Sequence, residues 1–349
     1  MAVVPHETIA AMGKGAWMSA TIVAICRRAV RPRSASCAAV LIAGMVLAGT
    51  AAHAAENAAG VYLLGSRGPL AGVTPPPGVF VQNDFYAYGG SIGGNRTFLL
   101  GGTLAANVDG QAQFELPTVL WVTPLEVFGG KVGFSATLPL GRTYAAAGTN
   151  ISSPLFGNQS GFISDETNAV GDPVLSGLIG WSSGQFHWQA VGLLNIPVGD
   201  YRKDALSNVA FHRWAGDATG TVTWLDPELG LDLSAATGFT FNGENPDTDY
   251  RTGTEFHLEW AASKSFGNFS IGLVGYHYQQ ITGDSGRGAK LGDFEGRVTA
   301  LGGTVAYNFV LGTTPMTARL KVFREFAVQN RLEGTSGFLT LSIPLRVGE

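Results

Sequence analysis

The stretch 229–242 alternates without a break. Leu229, Leu231, Leu233, Ala235, Thr237, Phe239 and Phe241 share one parity, and Gly230, Asp232, Ser234, Ala236, Gly238, Thr240 and Asn242 share the other. A repeat of two sustained over fourteen residues describes a strand with one apolar and one polar face, longer than the usual strand of a water-soluble domain. The same alternation returns along most of the chain, and beyond the N-terminal leader no stretch is long and apolar enough for a spanning helix. Long strands with one greasy face suit a closed barrel with lipid outside and water inside. The pattern predicts an all-β fold, a transmembrane antiparallel up-and-down β-barrel of about twelve strands (12–14).

The N-terminus reads as an export leader. Arg27, Arg28, Arg31 and Arg33 precede an apolar run, 37–49 (CAAVLIAGMVLAG), which gives way to Ala52-His53-Ala54. That order of basic, apolar and small residues predicts a signal peptide over 1–54, removed after Ala54, with Met18 as an alternative start. The apolar run is too short for a permanent anchor, and Cys37 precedes it, which argues against a lipoprotein. Both cysteines, Cys26 and Cys37, lie in this leader, so the exported chain has no thiol for a disulfide or a metal. Past residue 54 there are 17 basic and 25 acidic residues, a net charge of −8 (17 − 25), which disfavours nucleic acid as a partner. The expected partners are outer-membrane lipid and, during biogenesis, the barrel-assembly machinery.

Residues 55–77 are rich in Gly and Pro and end in Thr74-Pro75-Pro76-Pro77. Proline has no N–H to give a ladder, so this is a leader or plug segment, followed by a barrel over 78–349. Strand-like runs then cover 79–88, 97–108, 113–122, 131–140, 174–181, 185–196, 218–225, 229–241, 254–266, 269–281, 294–311, 316–328 and 337–345. Tight turns at 226–228, 265–268 and 312–315 alternate with longer polar loops at 242–251 and 282–293. Outer-membrane barrels have short periplasmic turns and longer external loops, so the longest intervals, 141–169 and 197–216, are expected outside. Thirteen runs conflict with the even strand number of a single-chain bacterial barrel. Twelve results if 79–88 lies inside as part of the plug, and fourteen if 61–64 adds a strand; twelve is the expectation. The phrases Leu138-Pro139-Leu140, Ile196-Pro197-Val198 and Ile343-Pro344-Leu345 each close a run, as a repeated mark at a barrel rim.

Charge assigns the faces, because a Lys or Arg facing lipid at the midplane costs about 2–4 kcal/mol. Over 252–266, Phe256, Leu258, Trp260 and Ala262 oppose Glu255, His257 and Glu259; over 316–328, Met316, Ala318, Leu320 and Val322 oppose Thr317, Arg319, Lys321 and Phe323. Trp181, Trp188, Trp224 and Trp260 fall toward the short turns, as an interfacial girdle requires. The run 269–281 loses phase between Leu273 and Val274, which predicts a bulge at Gly272 or Gly275. The lumen so drawn carries Asp232, Glu255, His257, Glu259, Arg319 and Lys321. These form either a charge lattice that holds the interior together or a polar constriction that selects a permeant. Phe80, Phe85, Tyr86 and Tyr88, beside the plug, either line an aromatic path or pack a strand against its neighbours.

Several phrases resemble a known family: Gly65-Ser66-Arg67-Gly68-Pro69, Leu116-Pro117-Thr118-Val119-Leu120-Trp121, Gly171-Asp172-Pro173, Asn195-Ile196-Pro197-Val198-Gly199-Asp200-Tyr201, Thr223-Trp224-Leu225-Asp226-Pro227, the run 238–260, and Phe323-Arg324-Glu325-Phe326. Together they resemble the MetA-pathway phenol-degradation family of SphA-like outer-membrane barrels. The resemblance implies a transporter associated with breakdown of aromatic or other hydrophobic compounds, and it carries no catalytic or ligand set. The chain departs from outer-membrane barrels in general by ending Leu345-Arg346-Val347-Gly348-Glu349 instead of in an aromatic residue, which bears on insertion efficiency.

Three function classes compete. A passive channel for small hydrophobic or aromatic solutes leads. A hydrolase needs a nucleophile, a base and an orienting group; His187, His212, His257 and His277 sit in no nucleophile-elbow or zincin spacing, so no enzyme is expected. The third class is a structural or receptor barrel acting through its external loops, where Phe211-His212-Arg213-Trp214 forms an aromatic-basic tip. There is no CxxC, HExxH or calcium-loop pattern, so neither metal nor cofactor is expected.

Overall fold

A computed structural model describes residues 60–347, apart from 101–102, 154–156, 291 and 294. The expected export leader lies outside the described residues. The strands are β1 (Gly78–Leu100), β2 (Thr103–Val127), β3 (Gly130–Thr137), β4 (Leu140–Ser153), β5 (Gly157–Val170), β6 (Val174–Ser183), β7 (Phe186–Asn195) and β8 (Ala215–Asp226). They continue with β9 (Leu231–Asn242), β10 (Glu244–Asn245), β11 (Tyr250–Arg251), β12 (Glu255–Phe266), β13 (Phe269–Gln280), β14 (Arg297–Leu311), β15 (Thr314–Gln329) and β16 (Glu333–Val347). Every pairing is antiparallel, and β1 pairs with both β16 and β2, which closes the ring. Closure pairs the staves on both sides within the protein, the condition for a sheet in lipid, while the β5 extension pairs with β4 alone.

The ring has twelve staves, but two expectations about how it reaches that number fail. Residues 79–88 are not part of a plug: they belong to β1, a wall strand paired on both sides. The runs 97–108 and 113–122 are also not two strands. Residues 103–127 form the single strand β2, and Gly110 sits in mid-ladder opposite Gly90, where glycine had read as a turn.

β3 and β4 both pair with β2, β3 along its Thr118–Val127 end and β4 along Val108–Glu115. Together they form one stave interrupted at Leu138-Pro139; β6 and β5 form its neighbour, interrupted at Gly171-Asp172-Pro173. Neither proline has an N–H, and the ladder is carried across the gap by Leu138 N–H to Pro117 O at 3.1 Å and Gly171 N–H to Pro139 O at 2.8 Å. Pro139 thus lies in mid-wall, and Pro344 lies within β16 where β1 shifts register between Val79 and Phe80. At Pro139 and Pro344 the proline phrase is a ladder interruption and not a rim mark, whereas Ile196-Pro197-Val198 directly follows the end of β7, as expected. The interval 141–169, expected as a loop, is for the most part the paired hairpin of β4 and β5, from Leu140 opposite Val170 to Ser153 opposite Gly157.

The short connections at 128–129, 184–185, 227–230, 267–268 and 312–313 lie at the end of the barrel where β1 begins and β16 finishes. Two of the predicted girdle tryptophans meet these turns. Trp181 Nε1 donates to Phe128 O at 3.0 Å, and Trp224 Nε1 donates to Gln185 Oε1 at 3.0 Å, so each ring faces outward with its polar atom satisfied. Leu233, Phe239, Leu258, Leu320, Val322 and Leu339 are exposed on the outer face.

β13 corrects a further expectation. It pairs with β12 and β14 without any register shift, so there is no bulge at Gly272 or Gly275. Phe269, Ile271 and Leu273 face out, and Val274, Tyr276 and Tyr278 are buried inside. The alternation never broke; the upper lumen is itself apolar, and Tyr276, Phe323 and Phe338 pack there with Leu63 and Leu64. Equating apolar with lipid-facing fails wherever a barrel has a filled interior.

At the opposite end, β10 and β11 make a small external hairpin tied to the 281–296 loop. Arg251 and Ser285 exchange two backbone hydrogen bonds at 2.9 Å. The Asp284 carboxylate accepts from Gly253 N–H at 2.9 Å, from Gln280 Nε2 at 2.6 Å and from the Tyr250 hydroxyl. Burial of the carboxylate outweighs these donors and pushes its pKa up to about 6, from 3.8. The folded loop therefore binds more protons than the unfolded one between these values, and its stability falls as pH rises from about 4 to about 6, then levels off. Limited proteolysis of the loop should show this loss in the native chain and not in Asp284→Asn, which carries no ionisable group there.

Candidate permeation site

From Gly78 the chain runs back into the barrel, and residues 60–77 lie against the inner wall as a strap. The wall holds the strap by its main chain. Asp232 Oδ2 and Ser234 Oγ accept from Leu70 N–H at 2.7 and 3.1 Å, and Thr223 Oγ1 accepts from Gly72 N–H at 2.8 Å. Arg319 Nη1 donates to Pro69 O at 2.9 Å, and Gln189 Nε2 donates to Thr74 Oγ1 at 3.0 Å. These anchors come from β7, β8 and β9, which are neighbours in the ring, and from β15, which stands across the lumen from β7; all of them have lumen-facing parity.

The tightest hold is a two-sided clamp on the turn at Gly65-Ser66-Arg67. From β12, Glu259 accepts from Gly65 N–H at 3.1 Å and from Arg67 N–H at 3.0 Å. From β15, Lys321 Nζ donates to the carbonyls of Gly65, Ser66 and Arg67 at 2.5, 2.8 and 3.1 Å. The carboxylate meets only donors and the ammonium only acceptors, so each buried charge is solvated by peptide dipoles. Lys321 also lies 4.7 Å above the Phe338 ring. Gly65 makes the turn possible: its φ is +84°, and a Cβ there would lie 2.9 Å from Phe323 and 3.0 Å from Phe338. Gly72 is needed for a different reason, since its Cβ would stand 2.6 Å from His187 O on the wall.

The first residues of the strap rest on a polar cluster. The Tyr62 ring stacks on His257 with centroids 3.5 Å apart and an interplanar angle of 14°. His257 Nε2 is 2.9 Å from Asp217 Oδ2, and Asp217 also accepts from Thr219 at 2.5 Å and Thr240 at 2.7 Å. Glu255 accepts from Tyr278 Oη at 2.6 Å and from Asn242 Nδ2 at 3.0 Å. The structure thus places Asp232, Glu255, His257, Glu259, Arg319 and Lys321 inside, spread along the strap instead of in one ring. Of the four aromatic candidates, Phe80, Tyr86 and Tyr88 turn to the interior while Phe85, of opposite parity, is exposed on the outer face.

Sequence reasoning missed Asp217, Glu325 and Arg331. Asp217 stood at the ragged end of a loop, although its parity with Thr219, Thr221 and Thr223 marks it as inward. Glu325 shares parity with Lys321 and Phe323 and was legible in the same way. Arg331 lies in a connection with no periodic signal. Among the described residues, no group of three His, Asp or Glu side chains could hold a metal.

Two cavities flank the strap. One of about 640 Å³, toward the short turns, is lined by Phe80, Gln82, Thr118 and Leu120. The other, of about 210 Å³, toward the external loops, is lined by Tyr86, Tyr88, Phe114 and Tyr276. On β1 the inward positions run Phe80, Gln82, Asp84, Tyr86, Tyr88, so only Asp84 separates the two linings along that strand. The Asp84 carboxylate is occupied by Gln82 Nε2 at 2.7 Å and by the Thr340 hydroxyl.

A family model described as "Putative MetA-pathway of phenol degradation" matches residues 93–341. No curated protein sequence matches the chain significantly. Among solved structures, the COG4313 outer membrane channel from Pseudomonas putida F1 superposes with a TM-score of 0.60 at 16% identity, over 77% of this chain and 96% of that one. The CymD monoaromatic hydrocarbon channel gives 0.42 at 6% identity, over 78% and 89%. The translocator domain of the autotransporter NalP from Neisseria meningitidis gives 0.38 at 10%, over 78% and 90%. The first likeness is one of fold, a closed barrel of the outer membrane.

Proposed function

The chain belongs to this MetA-pathway family, and we propose that it is an outer-membrane channel that lets small hydrophobic or aromatic solutes diffuse past its strap. The observation that carries the reading is the arrangement of the two cavities. They lie on the same β1–β2 wall, Tyr86 and Phe114 above and Phe80 and Leu120 below, while the strap is fastened to β7–β9, β12 and β15. A solute following that wall meets aromatic and aliphatic side chains, Gln82, Thr118 and one acid, Asp84, whose carboxylate is held by two hydrogen bonds. Such a route favours molecules with little hydration to lose. Asp232, Glu259, Arg319 and Lys321 act in this reading as anchors of the strap, which leaves selection to the other side chains that line the two cavities.

The receptor reading has less to support it, because only Trp214 of the external tip is exposed. Phe211 lines the upper cavity, Arg213 is buried, and His212 stacks on Tyr201 at 4.7 Å. The proposed partners are lipid at the outer face, the assembly machinery during insertion, and the permeant itself. Reconstituted barrels decide the matter. Liposomes carrying the protein should take up radiolabelled toluene or benzyl alcohol well above protein-free liposomes, with low ion conductance in planar bilayers and no uptake of a sugar. Equal uptake with and without the barrel sinks the proposal.

A further inference from the structure

The upper cavity is bounded by Tyr62, Leu63 and Leu64 of the strap, by the β1–β2–β4 wall, by the 206–211 segment and by Leu332. Its aromatic floor is ordered: Tyr86 lies between Phe114, parallel at 6.1 Å, and Phe338 at 4.8 Å. A dry apolar cavity of about 150 Å³ accepts benzene, so about 210 Å³ holds one substituted ring.

Two charged side chains line this cavity, and they differ in one respect. Glu325 is fully engaged, accepting from Tyr276 Oη at 2.8 Å, Tyr88 Oη at 3.0 Å and Gly334 N–H at 2.8 Å. Arg331 holds its guanidinium 4.2 Å above the Tyr278 ring, and its Nη1 is buried with no hydrogen-bond partner. A buried donor without an acceptor is unfavourable, and the balance is restored when an oxygen meets it. Glu325 already matches the charge of Arg331, so a further anion would leave the cavity with an uncompensated negative charge.

We infer that this cavity is a binding site for one neutral single-ring aromatic bearing an acceptor oxygen (a hydroxyl, ether or carbonyl), received by Arg331. The inference rests on the channel reading for its ligand class and adds the place and the group that does the selecting. A site with a donor set out for an oxygen discriminates against the hydrocarbon of the same shape, because that hydrocarbon leaves the donor unmatched. Resident water is the competing occupant, and it would erase this preference.

Fluorinated benzyl alcohol, toluene and benzoate, titrated into the mature barrel in nanodiscs and followed by fluorine NMR against empty nanodiscs, test the site. The alcohol should bind about tenfold tighter than the hydrocarbon, and benzoate should bind most weakly. Arg331→Met keeps most of the volume and removes the donor; it should weaken the alcohol to the level of toluene and leave toluene unchanged. Leu206→Trp fills the cavity and should weaken both. Equal binding of alcohol and toluene by the native barrel overturns the inference, as does benzoate binding tightest, or a preference that survives Arg331→Met. Should that variant not fold, the rank order in the native barrel still decides. Binding is read at equilibrium, so a barrel that binds as expected but takes up nothing refutes the channel and keeps the site. Uptake without the alcohol preference does the reverse.

Discussion

Removing residues 60–74 is expected to raise the single-channel conductance of the refolded barrel on the order of tenfold, because the lumen changes from filled to water-filled. The wall does not depend on the strap for closure, since β1 pairs with β16 and β2 through its own backbone. The acids and bases left behind, Asp232, Glu259, Arg319 and Lys321, lose main-chain partners but gain water, which solvates them as well. Leu63 and Leu64 leave Phe323 and Phe338 partly uncovered, so a modest loss of thermal stability accompanies the gain. Heat-modifiable migration on gels establishes that the shortened protein still forms a barrel. A conductance equal to that of the native protein would mean that the strap does not set the bore.

Lys321→Met is expected to loosen the strap while leaving it in place. The substitution removes three hydrogen bonds to the Gly65–Arg67 turn and leaves the Glu259 carboxylate facing that turn without the opposing cation. Breaking one side of a buried charged pair costs about 3–5 kcal/mol, far more than a surface contact. Arg319→Met, which removes the single bond from Nη1 to Pro69 O, should cost about 1 kcal/mol. In bilayer recordings Lys321→Met should therefore show frequent brief openings that Arg319→Met lacks. Combining Glu259→Gln with Lys321→Met removes the stranded charge and should restore part of the stability lost in Lys321→Met. If the double variant were less stable than the native barrel by the sum of the two single effects, the two side chains would be acting independently, and the clamp would be the wrong description.

Much of this architecture is visible in the chain because alternation is local. Asp232, Glu255, Glu259, Arg319 and Lys321 each oppose a lipid-facing neighbour such as Leu233, Leu258 or Leu320, and parity alone sends them inward. What parity does not reveal is what meets them there. Glu255 meets the side chains of Tyr278 and Asn242, but the strap partners of the other four are backbone groups of Gly65, Ser66, Arg67, Pro69 and Leu70, and a main-chain N–H or C=O has no letter in a sequence. The misreading of β13 has the same origin: Val274, Tyr276 and Tyr278 look outward-facing until a strap is known to fill the bore. The division of the chain into runs went astray at Gly110 because glycine marks turns and long ladders alike. Arg331 was not legible at all, lying in an aperiodic connection and meeting Tyr278 and Glu325 only through the closed ring.

Over residues 65–70 the barrel grips its insert by peptide groups, while Tyr62, Leu63, Leu64 and Thr74 commit their side chains to the wall. Glu259, Lys321 and Asp232 recognise the course of the backbone at 65–70 and are indifferent to what Ser66, Arg67 or Leu70 carries, provided Gly65 and Gly72 keep their turn and their close approach. The strap is in this sense an exchangeable cartridge in a fixed socket. Replacing Arg67, which lines the lower cavity, or the exposed Leu70 alters what a passing solute touches without removing a hydrogen bond of the fastening, so such a barrel acquires a new filter by rewriting a few strap residues and none of its wall.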